Sequence, residues 1–238
     1  MFNKISILLI GFIITVLTSC SSPDPLTYLV FVDYSMSAST LADDNKEKLL
    51  VRLENVWSLM KPDDALIIYP IHLLTETAVP LFRMIKPFLN GDLNDRINSK
   101  TSESLFIESL RKKIFDDIKI PSEVRQGTNI YPIMRKMRRF QKDTFISGTI
   151  VSDMNHEYLG EQLHKTFGTK DHPNPSDYAM KKVDSLGLHS SLNNSEITLV
   201  IPGTYAGDIN DELTRSAIIE YWETFFMLTG SKVRITDL

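Results

Sequence analysis

Residues 26–37 read LTYLVFVDYSMS, and this stretch decides the fold class. Residues 26–32 are mostly β-branched, aliphatic and aromatic, a pattern that predicts a buried strand. Asp33, Ser35 and Ser37 follow at once, so the chain carries carboxylate and hydroxyl oxygens into the loop where that strand ends. Ligands bind at this edge in sheets of parallel strands. The stretch therefore predicts a central strand with a binding site at its carboxyl end.

The rest of the chain alternates short apolar runs with amphipathic stretches. Further strands are predicted at 65–71, 144–151, 196–201 and 233–235, and an antiparallel edge strand at 78–85. Helices are predicted at 41–60, 102–118, 129–141, 176–186 and 208–228, with Gly230 ending the last and residues 90–101 forming a loop. This alternation predicts an α/β fold: a doubly wound, mostly parallel sheet with helices on both faces and one antiparallel edge strand.

Composition narrows the classes of function. The chain has 238 residues, of which 42% are hydrophobic, enough for one medium domain with a sizeable core. Its formal charge of −4 argues against a nucleic-acid-binding protein, which normally has a basic excess. The one basic run, Arg135, Lys136, Arg138 and Arg139, is predicted to be a solvated helix face.

The first residues have the layout of an export signal. Lys4 precedes a nearly continuous apolar run at 5–17, which is shorter than the roughly 20 residues that a membrane-spanning helix needs. Leu17-Thr18-Ser19-Cys20 then closes the run and contains the only cysteine of the chain. These four residues resemble the lipobox of bacterial lipoproteins. The alternative is an uncleaved anchor beside an ordinary thiol.

The lipobox resemblance implies a division of the chain. Residues 1–19 would be a lipoprotein signal peptide, Cys20 the acylated N-terminus, 20–25 a short tether and 26–238 the domain. Several acyl chains hold a protein stably on a membrane, whereas one gives only marginal binding. We therefore expect a protein that is lipid-anchored in the bacterial cell envelope, on the inner or the outer membrane.

Two more loops carry residues like those after the first strand. Ser152 and Asp153 follow the strand at 144–151, and Gly127-Thr128 precede the helix at 129–141. Together with Asp33, Ser35 and Ser37, this order resembles the von Willebrand factor type A domain and its metal-ion-dependent adhesion site. The resemblance implies that Ser35, Ser37 and Thr128 offer hydroxyl oxygens to a metal ion, and that Asp33 and Asp153 bind it through waters or directly.

The residue types suit that chemistry. Oxygen ligands favour a hard cation, Mg²⁺ first, with Mn²⁺ or Ca²⁺ as alternatives. Neutral hydroxyls leave most of the charge on the ion, so a carboxylate of a partner is an attractive further ligand. We therefore expect no enzymatic activity but metal-dependent adhesion or complex assembly with another envelope protein that offers an acidic side chain.

Two other functions fit the same residues. One is a metal-free docking module of the same fold, and the other is a metal-dependent hydrolase that uses Asp33 and Asp153. The hydrolase is disfavoured because no general base or nucleophile beyond Asp33 and Asp153 is evident. The sequence also has no Gly-x-Ser-x-Gly elbow and no His-Glu-x-x-His zinc motif. We further expect His156, Glu157 and His164 to be surface residues, and the Asp33 loop to lie outside the core.

Overall fold

The computed structural model describes residues 24–35, 43–87, 93–116, 120–141, 145–202 and 212–238. The predicted signal peptide, Cys20 and Ser37 lie outside these ranges. Among the described residues, no helix combines the length and the hydrophobicity needed to cross a bilayer.

A six-stranded sheet forms the centre of the fold. Its strands are β1 (Thr27–Asp33), β2 (Ala65–Ile71), β3 (Phe82–Ile85), β4 (Ile146–Val151), β7 (Ser195–Ile201) and β8 (Lys232–Asp237). Their order across the sheet is β3-β2-β1-β4-β7-β8. All neighbouring pairs are parallel except β2 and β3, which are antiparallel. The predicted mixed sheet with one antiparallel edge strand is confirmed.

Helices connect these strands. They are α1 (Asp43–Leu59), α2 (Leu93–Arg111), α3 (Pro132–Phe140), α4 (Leu163–Phe167), α5 (Pro175–Leu186) and α6 (Glu212–Leu228). A π-helical turn, Lys112–Asp116, continues α2, and a 3₁₀ turn spans Val124–Gln126. A small hairpin of β5 (Glu157–Tyr158) and β6 (Glu161–Gln162) follows β4. Pro132 is the first residue of α3, where a missing backbone N–H has no cost.

Both faces of the sheet are buried, because alternate side chains of each strand point to opposite sides. Leu29 and Phe31 of β1 lie in a core with residues of α3, α4, α5 and α6. Val30 and Val32 lie in a second core with residues of α1 and α2. Helices therefore cover both faces, which confirms the α/β doubly wound fold.

Two local predictions were wrong. Residues 90–101 were predicted as a loop, but α2 begins at Leu93. No Gly or Pro occurs between Asp92 and Arg111, and polar composition alone does not stop a helix. The basic run is not wholly solvated either, since Lys136 is buried and donates to the carbonyl oxygen of Ala78 at 2.7 Å.

Candidate functional site

The site residues meet where the strand order reverses. From β1 the chain adds β2 and β3 on one side, and it then crosses to β4, β7 and β8 on the other. The crevice between the carboxyl ends of β1 and β4 is therefore the switch point at which such sheets bind ligands. Asp33 is the last residue of β1, and Ser152 and Asp153 follow directly after β4. Because Val32 pairs with Val151, these side chains are brought side by side.

Asp33 is fully buried and is held from two directions. The Ser152 hydroxyl donates to its Oδ2 at 2.6 Å, and the backbone N–H of Ser35 donates to its Oδ1 at 2.8 Å. The Ser35 hydroxyl also hydrogen-bonds to this carboxylate. The expectation that the Asp33 loop lies outside the core is therefore wrong. Ser152 was not among the predicted site residues, although a hydroxyl beside Asp153 at the same strand end was the signal for it.

Thr128 joins this cluster from the second loop. Its side chain is buried, and its hydroxyl makes no hydrogen bond of ordinary geometry with any described residue, yet it lies near enough to Asp33 to lower the pKa of that carboxyl. The Thr128 carbonyl accepts from the N–H of Glu157 at 2.9 Å. Gly127 allows the Glu157 backbone to come this close to the Thr128 loop, because a Cβ at position 127 would lie 2.5 Å from the carbonyl oxygen of Glu157.

The third loop is shaped by its own hydrogen bonds. The N–H of Asn155 donates to Asp153 Oδ1 at 3.0 Å, and the N–H of Met154 donates to the Ser152 hydroxyl at 2.9 Å. Trp222 of α6 donates from Nε1 to the Met154 carbonyl at 2.7 Å. The backbone around Asp153 is thereby fixed to the core on one face of the sheet.

The first loop is anchored beside Ser35. The Tyr34 hydroxyl donates to the carbonyl of Ile114 at 2.9 Å, and Arg125 donates from Nε to the Tyr34 carbonyl at 2.8 Å. The Tyr34 N–H donates to the carbonyl of Ile71 at the end of β2. These contacts determine the path of the chain as it leaves β1.

The two carboxylates are in an unfavourable electrostatic environment. Burial raises the pKa of Asp33 above its usual value, although the hydrogen bonds from Ser152 and Ser35 oppose the rise. Burial raises the pKa of Asp153 well above its usual value, and the negative charge of Asp33 raises it further. Within the described residues, neither forms an ion pair with a Lys or Arg side chain. The two carboxyl groups therefore share a buried site in which no described Lys or Arg side chain compensates a negative charge.

Of the five predicted metal ligands, the structure brings four together: Asp33, Ser35, Thr128 and Asp153. The fifth, Ser37, is outside the described residues. No group of three or more His, Cys, Asp or Glu side chains suited to a metal is found in the described part of the chain. The candidate site is of a different kind, because hydroxyl oxygens make up much of its donor set, and such oxygens suit a hard cation.

One surface prediction was wrong. His156 is buried, with 1% of its side chain exposed, because the hairpin and α6 cover it. Glu157 and His164 are partly exposed and lie 3.4 Å apart between Oε1 and Nδ1.

Comparison with known proteins gives similarities of structure but none of sequence. No family model and no curated protein matches the chain. Similar solved structures include the ArnB paralog VWA2 from Sulfolobus acidocaldarius, at 12% identity and a TM-score of 0.45 over 90% of this chain and 42% of that one. A von Willebrand factor type A structure from Catenulispora acidiphila has 10% identity and a TM-score of 0.45 over 89% of this chain and 38% of that one.

A third similar structure is proximal thread matrix protein 1 from the mussel byssus, in which zinc occupies the metal-ion-dependent adhesion site (MIDAS) motif. It has 10% identity and a TM-score of 0.42 over 90% of this chain and 41% of that one. This chain thus spans about two fifths of the length of each of these proteins. The fold class itself rests on the strand order and registers described above.

Proposed function

We propose that this protein binds a divalent metal ion, Mg²⁺ in the first place, and uses it to hold an acidic side chain of another protein of the cell envelope. The observation that carries the proposal is the buried Thr128 hydroxyl, which lies close to Asp33 but makes no hydrogen bond of ordinary geometry with a described residue, beside two buried carboxylates. Burying a polar oxygen without a partner costs free energy, and so does burying like charges together. A bound dication would remove both costs.

The residues present fit such an ion. Thr128 and Ser35 would offer neutral hydroxyl oxygens, and Asp33 and Asp153 would offer charge. Ser152 would keep Asp33 in place, since its hydroxyl already donates to Oδ2. When bound, the ion would supply positive charge that attracts a carboxylate oxygen of the partner protein as a further ligand. We include Ser37 as a fifth ligand from its place in the sequence alone.

The remaining parts of the proposal come from the sequence. Cys20 would carry the lipid anchor, and the tether at 20–25 would keep the domain near the membrane surface. We propose an adhesion or assembly function and no catalysis. Among the described residues, no His forms a hydrogen bond with Asp33 or Asp153, and the Nδ1 of His156 is occupied because it accepts from the backbone N–H of Ile130.

A metal-free docking module is the second candidate, and one observation favours it. Both oxygens of Asp33 already accept hydrogen bonds, so this carboxylate is partly satisfied by the protein itself. In that case the cluster would hold the loops of a binding surface in place, and added metal would not alter partner binding.

The test separates the two candidates. Isothermal titration with Mg²⁺, Mn²⁺ and Ca²⁺ should show binding to the wild type and at least about tenfold weaker binding to Thr128→Val, which keeps the side-chain shape but loses the unpartnered oxygen. Thr198→Val, in the middle of β7, is the matched control and should bind as the wild type does. Absence of both heat and thermal stabilisation with all three ions would leave only the metal-free candidate.

The partner is tested separately. The protein should capture an envelope protein in Mg²⁺ buffer, lose it in EDTA, and fail to capture it as Thr128→Val. Capture that persists in EDTA would contradict the role of the metal in adhesion, even if the titration shows that metal binds.

A further inference from the structure

A cavity of about 310 Å³ lies next to the candidate metal site and is not part of it. The loops that supply Thr128 and Asp153 continue into its wall, where they contribute Tyr131 and His156. Helix α5 and the residues after it contribute Leu186 and Leu188. The volume is at the lower end of the range for small-ligand pockets.

His156 is one of the residues that line this cavity, and its buried Nε2 is a hydrogen-bond donor that no described residue uses. Its Nδ1 accepts the backbone N–H of Ile130 at 3.2 Å, so the neutral ring carries its proton on Nε2. Burial accordingly lowers the pKa of His156 to about 4. Nε2 has no hydrogen-bond partner among the described residues, because the nearest carboxylate oxygen, Oε2 of Glu161, is 3.9 Å away. A buried N–H without an acceptor is costly, and an acceptor from a ligand would satisfy it.

The charged groups around the cavity already compensate one another. Glu161 accepts from the hydroxyl of Tyr131 at 3.0 Å, and it forms an ion pair with Lys182. Arg135 pairs with Glu76 at 2.8 Å at the edge of the cavity. A charged ligand would have to break one of these pairs, so the surroundings favour a neutral acceptor such as a carbonyl oxygen.

The hairpin over the cavity has an unusual tip. Leu159 and Gly160 have φ angles of 49° and 85° and form the two central residues of a type I′ turn. Such turns favour Asn or Gly at the first position, and a leucine there is strained. Leu159 is nevertheless 87% exposed and lines the cavity. Strained backbone is concentrated at binding and active sites, so Leu159 is a candidate contact for a ligand in the cavity.

We propose that this cavity binds a neutral ligand with a carbonyl oxygen and a small branched apolar group. The carbonyl accepts the Nε2–H of His156, and the apolar group contacts Leu159, Leu186 and Leu188. The same chemistry is found in a free aliphatic amide and in a leucine residue of a peptide. This proposal does not rest on the metal site.

The direct test follows the imidazole signals of ¹⁵N-histidine-labelled protein by NMR during titration in EDTA. Isovaleramide represents the free ligand, and N-acetyl-leucine methylamide represents the peptide. Both should shift the Nε2 signal of His156 in a saturable way, whereas isoamylamine, which has the same body but a cation in place of the acceptor, should not. Saturation by the peptide probe alone would assign the site to a partner segment, and saturation by isovaleramide alone to a free small molecule. No saturable shift with either would overturn the proposal.

Three variants test the assigned contacts. His156→Asn keeps an acceptor for Ile130 but removes the Nε2 donor, and it should bind about tenfold more weakly. His156→Gln places an amide donor near the position of Nε2 and should recover part of that loss. Leu159→Asn suits the turn better and should melt at a higher temperature while binding more weakly. His189→Asn, at an exposed position outside the cavity, is the control.

These variants also separate binding from folding. Weaker binding in the more stable Leu159→Asn protein cannot result from partial unfolding. If His156→Asn bound the probes as tightly as the wild type, the donor would have no role and the proposal would be wrong. Failure of the metal titration would leave the result unchanged, because these measurements contain EDTA.

Discussion

Replacing Asp153 with Asn is expected to alter stability in opposite directions with and without magnesium. The side chain is 3% exposed, and the nearby charge of Asp33 acts on it. The amide keeps an oxygen that can accept the N–H of Asn155, which now bonds Oδ1 at 3.0 Å. The substitution therefore removes one buried negative charge while the loop keeps its hydrogen bond.

The magnitude follows from the charges. At an effective dielectric constant near 20, two ionised carboxylates repel by about 2–3 kcal/mol when roughly 5–8 Å separates them. This is an upper limit for Asp153, because its raised pKa favours the protonated form. For a domain of this size that difference corresponds to a rise of roughly 4–12 °C in the melting temperature of the metal-free protein. In contrast, Mg²⁺ at a hundred times its dissociation constant would stabilise the wild type by about 2.7 kcal/mol. The variant should gain little of this.

Calorimetric melting in EDTA and in Mg²⁺ measures both effects. Asp171→Asn, at an exposed position, is the matched control and should follow the wild type in both buffers. A metal-free Asp153→Asn protein that melts below the wild type would refute the electrostatic reasoning. Equal stabilisation of both proteins by Mg²⁺ would show that Asp153 does not take part in metal binding.

Three further predictions concern groups elsewhere in the chain. Burial lowers the pKa of His156 to about 4 in the folded protein, whereas an unfolded His has a pKa near 6.5. Between pH 6.5 and pH 4 the imidazole is therefore protonated only in the unfolded state. The free energy of unfolding should fall by about 3 kcal/mol over this range. Urea unfolding at pH 4.5 and 7 should show this slope in the wild type and a smaller one in His156→Asn. Lys136→Met should lower the free energy of unfolding by about 1.5–3 kcal/mol, because it breaks a buried hydrogen bond to a carbonyl. Arg135→Met, whose ion pair is exposed, should lower it by less than about 1 kcal/mol. Equal losses for the two variants in urea unfolding would contradict this. Cys20→Ala should move the protein out of the membrane fraction, and unchanged fractionation would show that the apolar run at 5–17 is itself the anchor.

The sequence determined the layers of the fold because apolar periodicity acts locally. The runs at 26–32, 65–71 and 196–201 have the composition of strands that are buried on both faces, and each became a strand of the central sheet. It also determined that Asp33 and Asp153 lie at the same edge, because Asp33 is the last residue of one parallel strand and Asp153 lies two residues after the end of another.

Local pattern did not reveal which polar side chains would be buried. Lys136 and His156 read as solvated residues in polar surroundings, but α3 carries the lysine over the Tyr69 ring and the hairpin encloses the histidine. The start of α2 at Leu93 was missed for a related reason, since a polar segment without Gly or Pro can continue a helix.

Only the tertiary structure decided the state of the candidate site. The sequence showed that Thr128 and Asp33 carry oxygen atoms. It did not show that the Thr128 hydroxyl would be buried without a hydrogen bond of ordinary geometry to a described residue, or that Ser152 would hold the Asp33 carboxylate. The free Nε2–H of His156 and the strained turn at Leu159 likewise depend on segments that approach only after folding. Burial and hydrogen bonding are properties of three-dimensional neighbours, and the order of residues along a chain does not specify those neighbours by itself.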